Sequence, residues 1–449
     1  MSYPEALAYL QTFVNYEKAA SYSYKQSLKL ERIAGFCAAI GDPQRSLKCI
    51  HVAGSKGKGS TCMFIASILR EAGFCVGLYT SPHLADFRER IRILSPSASA
   101  RDRGDEFEGM ISCDDVAAIV DALKARIEAY NKESACGPLT FFEVYTALAF
   151  VYFKERAVDY AVLETGVGGR LDATNTVCAR VSAITPISYE HMDKLGNTLR
   201  EIAGEKAGII KRCGDAQPVV VSAAQDPEAA AVIRRRCGET GAQLYEVDKD
   251  IVCAPGVGRF DIKGMYGEYR NLTTQLSGRH QMMNAAVAVG AVEALRRFGL
   301  TVDAEAISRG LACARWPGRC EILRRDPLVV LDGAQNAASC RVLKETMVSD
   351  FKYRRLFVVL GVSGDKDIRG ICREVSSIAD TVIVTKADNP RACDPEELAR
   401  HFRDKQVHVT HSVKDARSLA YESAGPGDAV LVCGSLFVVG EFKYGTTAQ

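Results

Sequence analysis

One segment constrains this chain more than any other: His51-Val-Ala-Gly54-Ser55-Lys56-Gly57-Lys58-Gly59-Ser60-Thr61. The apolar run 48–53 reads as a buried strand, and 60–71 carries a helical pattern. A strand that turns through glycines into a helix start gathers backbone N–H groups around an anion. Lys58 adds a mobile charge suited to β- and γ-phosphates. The segment is not a strict Walker A motif. Val52 stands where its first glycine belongs, and Gly59 follows the Gly-Lys pair in place of Ser or Thr. Without the flanking strand and helix it would read as a glycine turn with an exposed lysine pair. With them it predicts phosphate binding at Gly57, Lys58, Gly59 and Ser60.

The rest of the chain repeats that grammar. Short apolar runs at 75–79, 158–164, 181–185 and 218–222 alternate with helical patterns at 114–132, 141–156 and 198–211. Such alternation predicts an α/β fold on a mainly parallel sheet. From 259 to 276 the pattern turns β-like, then helical at 282–298. Further strands are expected at 328–331, 356–360, 381–385, 406–409 and 429–433, forming a smaller open α/β sheet. Pro317 and Gly318 interrupt the periodicity, so the chain divides into domains 1–312 and 313–449. The Ser-, Arg-, Asp- and Gly-rich stretch 95–109 reads as an exposed insertion loop.

Charge and cysteine content narrow the function classes. Fifty-seven Lys and Arg against 55 Asp and Glu leave a net charge of +2, which gives no bias towards nucleic acid or an anionic membrane. No apolar run approaches the roughly 18 residues of a spanning helix. The first residues show no basic segment followed by an apolar one, so an export signal is not expected. Sixteen scattered cysteines without a C-x-x-C pair argue against a zinc module or disulfide framework, as in a reducing, cytoplasmic compartment.

Three further sites carry chemistry-bearing side chains. Glu164 closes a predicted parallel strand, where ligands gather in open α/β sheets. It suits either a sparse Mg²⁺ site or a plain strand-end ion pair. His191 lies just past another strand end and reads as a structural hydrogen-bonding residue or a ligand. Lys206, on a helix, is either an ordinary paired lysine or a buried, reactive one. Phe141 and Phe142 at a helix start read as core residues on their own.

The motifs together are more specific than any one of them. They run in order through the P-loop, Thr80-Ser-Pro-His83, Thr140-Phe-Phe-Glu143, Glu164…Gly-Gly-Arg-Leu-Asp-Ala-Thr-Asn175 and Leu195-Gly-Asn-Thr…Glu-Lys-Ala-Gly-Ile-Ile-Lys211. Gly278-Arg-His-Gln-Met-Met-Asn-Ala285, Trp316-Pro-Gly-Arg319, Asp332-Gly-Ala and Asn389-Pro-Arg-Ala392 complete the series. This series resembles the folylpolyglutamate synthase/dihydrofolate synthase family, a branch of the Mur-type ATP-dependent amide ligases, from about Tyr24 onward.

The resemblance implies a P-loop ATPase domain followed by a smaller Rossmann-like domain, with ATP and substrates held in a cleft that closes to exclude water. It implies nucleotide contacts at Gly57, Lys58, Gly59, Ser60, Asn284, Arg319 and Asp332. It implies two Mg²⁺ ions, with ligands at Ser81, Glu164 and His191 and with Lys206 carbamylated near the second. It places Thr140, Phe141, Phe142, Glu143 and Leu171 at a pterin pocket, the rings stacking on the pterin and the Thr and Glu bonding its edge. The implied reaction phosphorylates a folate or dihydropteroate carboxylate and passes the acyl group to L-glutamate, in a monomeric enzyme without nucleic-acid or membrane partners.

The chain departs from that family pattern at Lys56, where Asn is common, at Glu190, where Asp is frequent, and at Gln335 and Ala337, where His and Pro are usual. Gln335 cannot titrate near neutral pH. Two other readings compete: a Mur-type ligase for a different acceptor, and a P-loop nucleotide switch without ligase chemistry. The first lacks a separate UDP-binding segment before the P-loop. The second has no need of Arg319 and Asp332.

Overall fold

The computed structural model describes residues 1–17, 22–96, 105–256 and 258–445. It divides into two compact units. The first comprises residues 1–82, 88–274 and 282–314, and the second residues 83–87, 275–281 and 315–449.

In the first unit β1 (Cys49–Ala53), β2 (Val76–Tyr79), β3 (Ile91–Leu94), β4 (Tyr160–Glu164), β5 (Ala179–Ile184), β6 (Val219–Ser222) and β7 (Gln243–Glu246) form one sheet in the order β3-β2-β4-β1-β5-β6-β7. Every pairing is parallel except β2 with β3. β1 is buried at every residue, which is why it reads as an unbroken apolar run rather than an alternating one. The register sets Val52 beside Glu164, Ala53 beside Ile184 and Tyr79 beside Leu163. The loops that leave β1, β2, β4 and β5 therefore emerge side by side at the carboxyl edge of the sheet. A separate antiparallel sheet joins β8 (Val252–Pro255), β9 (Phe260–Lys263) and β10 (Glu268–Leu272); β9 and β10 fall in the expected β-like region, and β8 precedes it.

The second unit carries β11 (Glu321–Arg325), β12 (Leu328–Leu331), β13 (Leu356–Leu360), β14 (Thr381–Val384), β15 (Gln406–Val409) and β16 (Ala429–Cys433) in the order β11-β12-β16-β13-β14-β15. Only β11 is antiparallel. Its core packs Val330, Leu343, Val358, Ile371, Val382 and Leu431.

The α/β expectation holds, with local corrections. The antiparallel edge strands β3 and β11 are absent from the sequence reading, because four or five residues mixing Arg, Glu and Leu give no clean period. The helix expected over 198–211 stops at Lys206 and tightens into a 3₁₀ turn at Ala207–Ile209. Residues 97–104 of the expected insertion loop lie outside the described residues. Its remainder is not wholly exposed: Glu108 is buried and pairs with Arg70, while its carbonyl accepts from Arg92 Nε at 2.8 Å. Two buried arginines draw this acidic residue inward, which composition does not reveal. Among the described residues no helix is long and apolar enough to cross a membrane.

Candidate active site

Two glycines shape the loop after β1. Gly54 has φ 150°, and a Cβ there would lie 1.9 Å from Thr185 Oγ1. Gly57 has φ 82°, and its Cβ would lie 2.1 Å from Asn284 Oδ1. Neither position has room for a side chain, so the backbone itself forms the loop surface. The helix Lys58–Glu71 begins at once, and its ladder closes first at Thr61 N to Gly57 O, 2.9 Å. The N–H groups of Lys58, Gly59 and Ser60 fall in the first turn, which has no intrahelical acceptors, at the positive end of the helix dipole. Ser55 and Lys56 donate their N–H groups to Pro186 O, and Ser55 Oγ donates to Ser188 O at 2.9 Å. The loop is thus strapped to the segment that follows β5. Lys58 is no exposed loop lysine, since only 15% of its side chain reaches solvent. It sits at the helix start facing an acid.

That acid is Glu164. The β4 register delivers it to the same edge, buried, with Lys58 Nζ at 3.9 Å and with Ser81 N donating to it at 3.1 Å. Glu164, Ser81 and Lys58 are therefore brought together. A second acid, Glu190, is held by two lysines: Lys206 Nζ at 2.7 Å and Lys56 Nζ at 3.5 Å. Lys206 is 1% exposed, and its ammonium also donates to Gly54 O at 2.7 Å, which ties it under the P-loop. Burial alone would raise the Glu190 carboxyl, but Lys206, Lys58 and Lys56 outweigh it and hold it down at about 2. Burial pulls the Lys206 amine down to about 8 against the opposing attraction of Glu190. His191, with φ 46°, caps the short helix Met192–Leu195 and adds to the positive field on Glu190.

Among the described residues no three His, Cys, Asp or Glu side chains converge into a ready-made metal cage. The donors present fit a hard cation that keeps water and phosphate oxygens: one buried carboxylate at Glu164, with Ser81 beside it.

The Thr140–Glu143 segment differs from expectation. Thr140 caps the helix Phe141–Glu155, and Glu143 returns the bond in a capping box. The Glu143 carboxylate accepts from Thr140 N and Oγ1 at 2.8 and 2.9 Å, and from buried Arg32 Nε at 2.8 Å. The hydroxyl and carboxylate expected to bond a pterin edge are engaged within the protein instead. Phe141 is buried and stacks on Tyr145, with ring centroids 5.6 Å apart. Phe142 is partly exposed, and its ring lies against Gly166, where a Cβ would come within 2.8 Å of Cζ. Leu171 packs partly buried on the core beside Val167.

A brace that sequence reasoning missed holds this turn. Asp172 accepts from Gly166 N at 2.9 Å, Val167 N at 3.0 Å and Thr174 Oγ1 at 2.6 Å. Thr174 Oγ1 lies 2.8 Å from Nε2 of fully buried His51. Since the Thr174 hydroxyl donates to Asp172, it accepts from His51, which places the imidazole proton on Nε2. Burial pushes this imidazole down to about 3. The Asp within Leu-Asp-Ala-Thr and the His opening the P-loop strand were the signals available.

In the second unit Asp332 ends β12 and organises a turn, accepting from Cys320 N and Ala334 N, each at 2.8 Å. Arg319 Nη1 lies so close to Gly333 that a Cβ there would meet it at 2.3 Å. Arg319, before β11, and Asp332, after β12, thus lie close together at the open end of that hairpin, while Asn284 belongs to the P-loop cradle. Gln335 is exposed and donates its N–H to Ser339 Oγ. Past the ends of β13, β14 and β16 lies a small, largely apolar depression bordered by Gly361, Val362, Ser363, Ala387, Asn389, Ala392, Ser435, Phe437 and Val438.

Residues 125–292 match the Mur ligase middle domain, and residues 318–436 match the Mur ligase glutamate ligase domain. The chain is 35% identical over 444 residues to a dihydrofolate synthase/folylpolyglutamate synthase of Bacillus subtilis, an alignment that covers 96% of this chain and 99% of the relative. Among solved structures, Mycobacterium tuberculosis folylpolyglutamate synthase complexed with ADP superimposes with a TM-score of 0.86 at 32% identity, covering 98% of this chain and 96% of that one. Escherichia coli FolC in complex with DHPP and ADP gives 0.83 at 31% identity, with 98% and 96% covered.

Proposed function

Because this chain belongs to the Mur ligase family and, within it, to the dihydrofolate synthase/folylpolyglutamate synthases, we propose that it is a bifunctional ATP-dependent ligase that joins L-glutamate to dihydropteroate and to folates. The observation that carries this reading is a phosphate-ready helix start with Lys58 facing buried Glu164 at adjoining strand ends.

The first-turn N–H groups at Lys58, Gly59 and Ser60, with Gly57 giving the backbone its close approach, hold the ATP phosphates. Lys58 offsets charge as the γ-phosphoryl moves to the substrate carboxylate, and the product is an acyl phosphate. Asn284 serves the nucleotide from the P-loop side, and Arg319 and Asp332 are carried over from the family resemblance as further nucleotide contacts. Glu164, Ser81 and His191 would hold Mg²⁺, with Lys206 carbamylated to support a second ion; the metal supplies Lewis-acid charge to phosphate oxygens. A buried amine lowered to about 8 is partly neutral near physiological pH, the form that adds CO₂.

Phe142 presents the ring on which a flat pterin stacks, with Leu171 beside it and Phe141 as buried support. Thr140 and Glu143 fix the start of that helix instead of touching the pterin. The glutamate amine attacks the acyl phosphate, loses a proton, and phosphate leaves as the amide forms. Gln335 performs no proton transfer here.

The test is ADP release by purified protein with Mg²⁺ and either dihydropteroate or tetrahydrofolate, with and without glutamate. Glutamate-dependent turnover with both is expected. Turnover with tetrahydrofolate alone reduces the assignment to a polyglutamate synthase, and ATP turnover indifferent to glutamate contradicts a ligase.

A further inference from the structure

Away from the charged edge, at the amino end of β5, two thiols that the proposed reaction does not use face each other. Cys178 stands between the 3₁₀ turn Ala173–Thr176 and β5, and Cys213 follows the 3₁₀ turn Ala207–Ile209. Hydrogen bonds lay these segments side by side. Asn175 Nδ2 donates to Gly208 O at 3.2 Å, Ser182 Oγ donates to Ile209 O at 3.4 Å, and Lys211 Nζ donates to Asn175 O. The Cys213 thiol comes within hydrogen-bonding reach of the Cys178 sulfur, and the Lys211 ammonium lies close to both. Cys178 is exposed and Cys213 half-buried, and both are free thiols. Burial pushes the Cys213 thiol up to about 11, so it stays protonated while its exposed partner meets solvent.

An exposed thiol, a cation beside it and a second sulfur within reach are what a peroxide-sensitive cysteine pair requires. We propose that Cys178 and Cys213 are a reversible thiol–disulfide pair that closes under a peroxide, with Lys211 as the cation that favours attack by Cys178. The Cys178 thiolate attacks one peroxide oxygen, so an S–O bond forms and the O–O bond breaks. The hydroxide released takes up the thiol's proton and leaves as water. Cys213 sulfur then displaces the sulfenic hydroxyl; the S–S bond forms, the S–O bond breaks, and the hydroxyl leaves with the Cys213 proton as a second water. Each sulfur gives up one electron, and one peroxide becomes two waters. Closure joins the ends of the stretch 178–213, which carries Glu190, His191 and Lys206. A transient disulfide of this kind needs no oxidising compartment.

The experiment treats the full-length protein, dilute and reduced, with a slight excess of hydrogen peroxide, alkylates the remaining thiols and maps peptides by mass spectrometry. The first disulfide formed is expected to join Cys178 to Cys213, with a mass loss of two hydrogens that dithiothreitol reverses. Cys313, the other exposed cysteine, serves as the internal control and is expected to stay outside any disulfide within the chain. Cys213→Ser is expected to stop Cys178 at the sulfenic acid, trapped by a dimedone probe, and Cys178→Ser to leave Cys213 reduced. Lys211→Met is expected to slow closure by about tenfold, the thiolate lost for one unit of pKa, and Lys211→Arg to restore it. The wild-type mapping needs no variant to fold. No 178–213 link in oxidised wild type, or a different pair closing first, overturns the proposal. Cys213 oxidising at the wild-type rate in Cys178→Ser overturns the order of attack, and an unslowed Lys211→Met overturns the part given to Lys211.

Discussion

The two units use one architecture for opposite electrostatics. At the carboxyl edge of the first sheet, Glu164 and Glu190 face Lys58, Lys56 and Lys206 from buried or largely buried positions. At the corresponding edge of the second, Asp332 is satisfied by two backbone N–H groups, and the depression past β13 and β16 is bordered by five apolar residues with one glycine, two serines and an asparagine. A buried ion cluster costs desolvation and is retained where charge must be handled. A backbone-braced carboxylate beside neutral groups holds a shape. The fold alone would not have separated these tasks, since parallel sheets collect ligands at this edge whatever their chemistry.

The contrast breaks most visibly at Lys58. Lys58→Ala should cut kcat/KM by about a thousandfold, the scale of losing one preorganised charge, with the thermal midpoint little changed. Steady-state kinetics at saturating ATP check this, and near-wild-type turnover would remove phosphate chemistry from the first unit. Glu164→Gln should follow with a loss of about a hundredfold and a raised Mg²⁺ requirement, read from activity against metal concentration. Retained activity with unchanged metal dependence would leave Glu164 as a strand-end ion pair.

Asp332→Asn tests the other side of the comparison. Its amide has one acceptor oxygen where the carboxylate satisfies two N–H groups, so a donor is left unmet at about 2 kcal/mol, measured by urea denaturation. The smallest effect is a pH dependence in the first unit. Buried His51 is held down to about 3, so between its ordinary pKa and that value the unfolded chain binds a proton the native one does not. Stability contributed by the neutral imidazole is present above the ordinary pKa and falls as pH drops, by about 0.7 kcal/mol between pH 7 and pH 6. His51→Gln should flatten that decline.

What was legible in the sequence follows from how local each signal is. The P-loop could be read because strand, glycines, lysine and helix are contiguous. Glu164 could be placed because a strand end marks itself. The ion cluster could not, since Lys56, Glu190 and Lys206 meet only through β1, β5 and the helix Leu199–Lys206. The Thr140–Glu143 spacing carries a capping box in plain form, yet the resemblance to a pterin site drew attention from it. Arg32, the partner that completes the burial of Glu143, lies 111 residues away and gives no local sign.

In the proposed reaction the charged edge of the first unit activates a carboxylate by phosphorylation before glutamate attacks. Dihydropteroate labelled with heavy oxygen in its carboxylate tests it directly. With ATP, Mg²⁺ and glutamate present, label should appear in the released phosphate in step with ligation. Ligation that leaves phosphate unlabelled would contradict an acyl phosphate and the role given to Lys58.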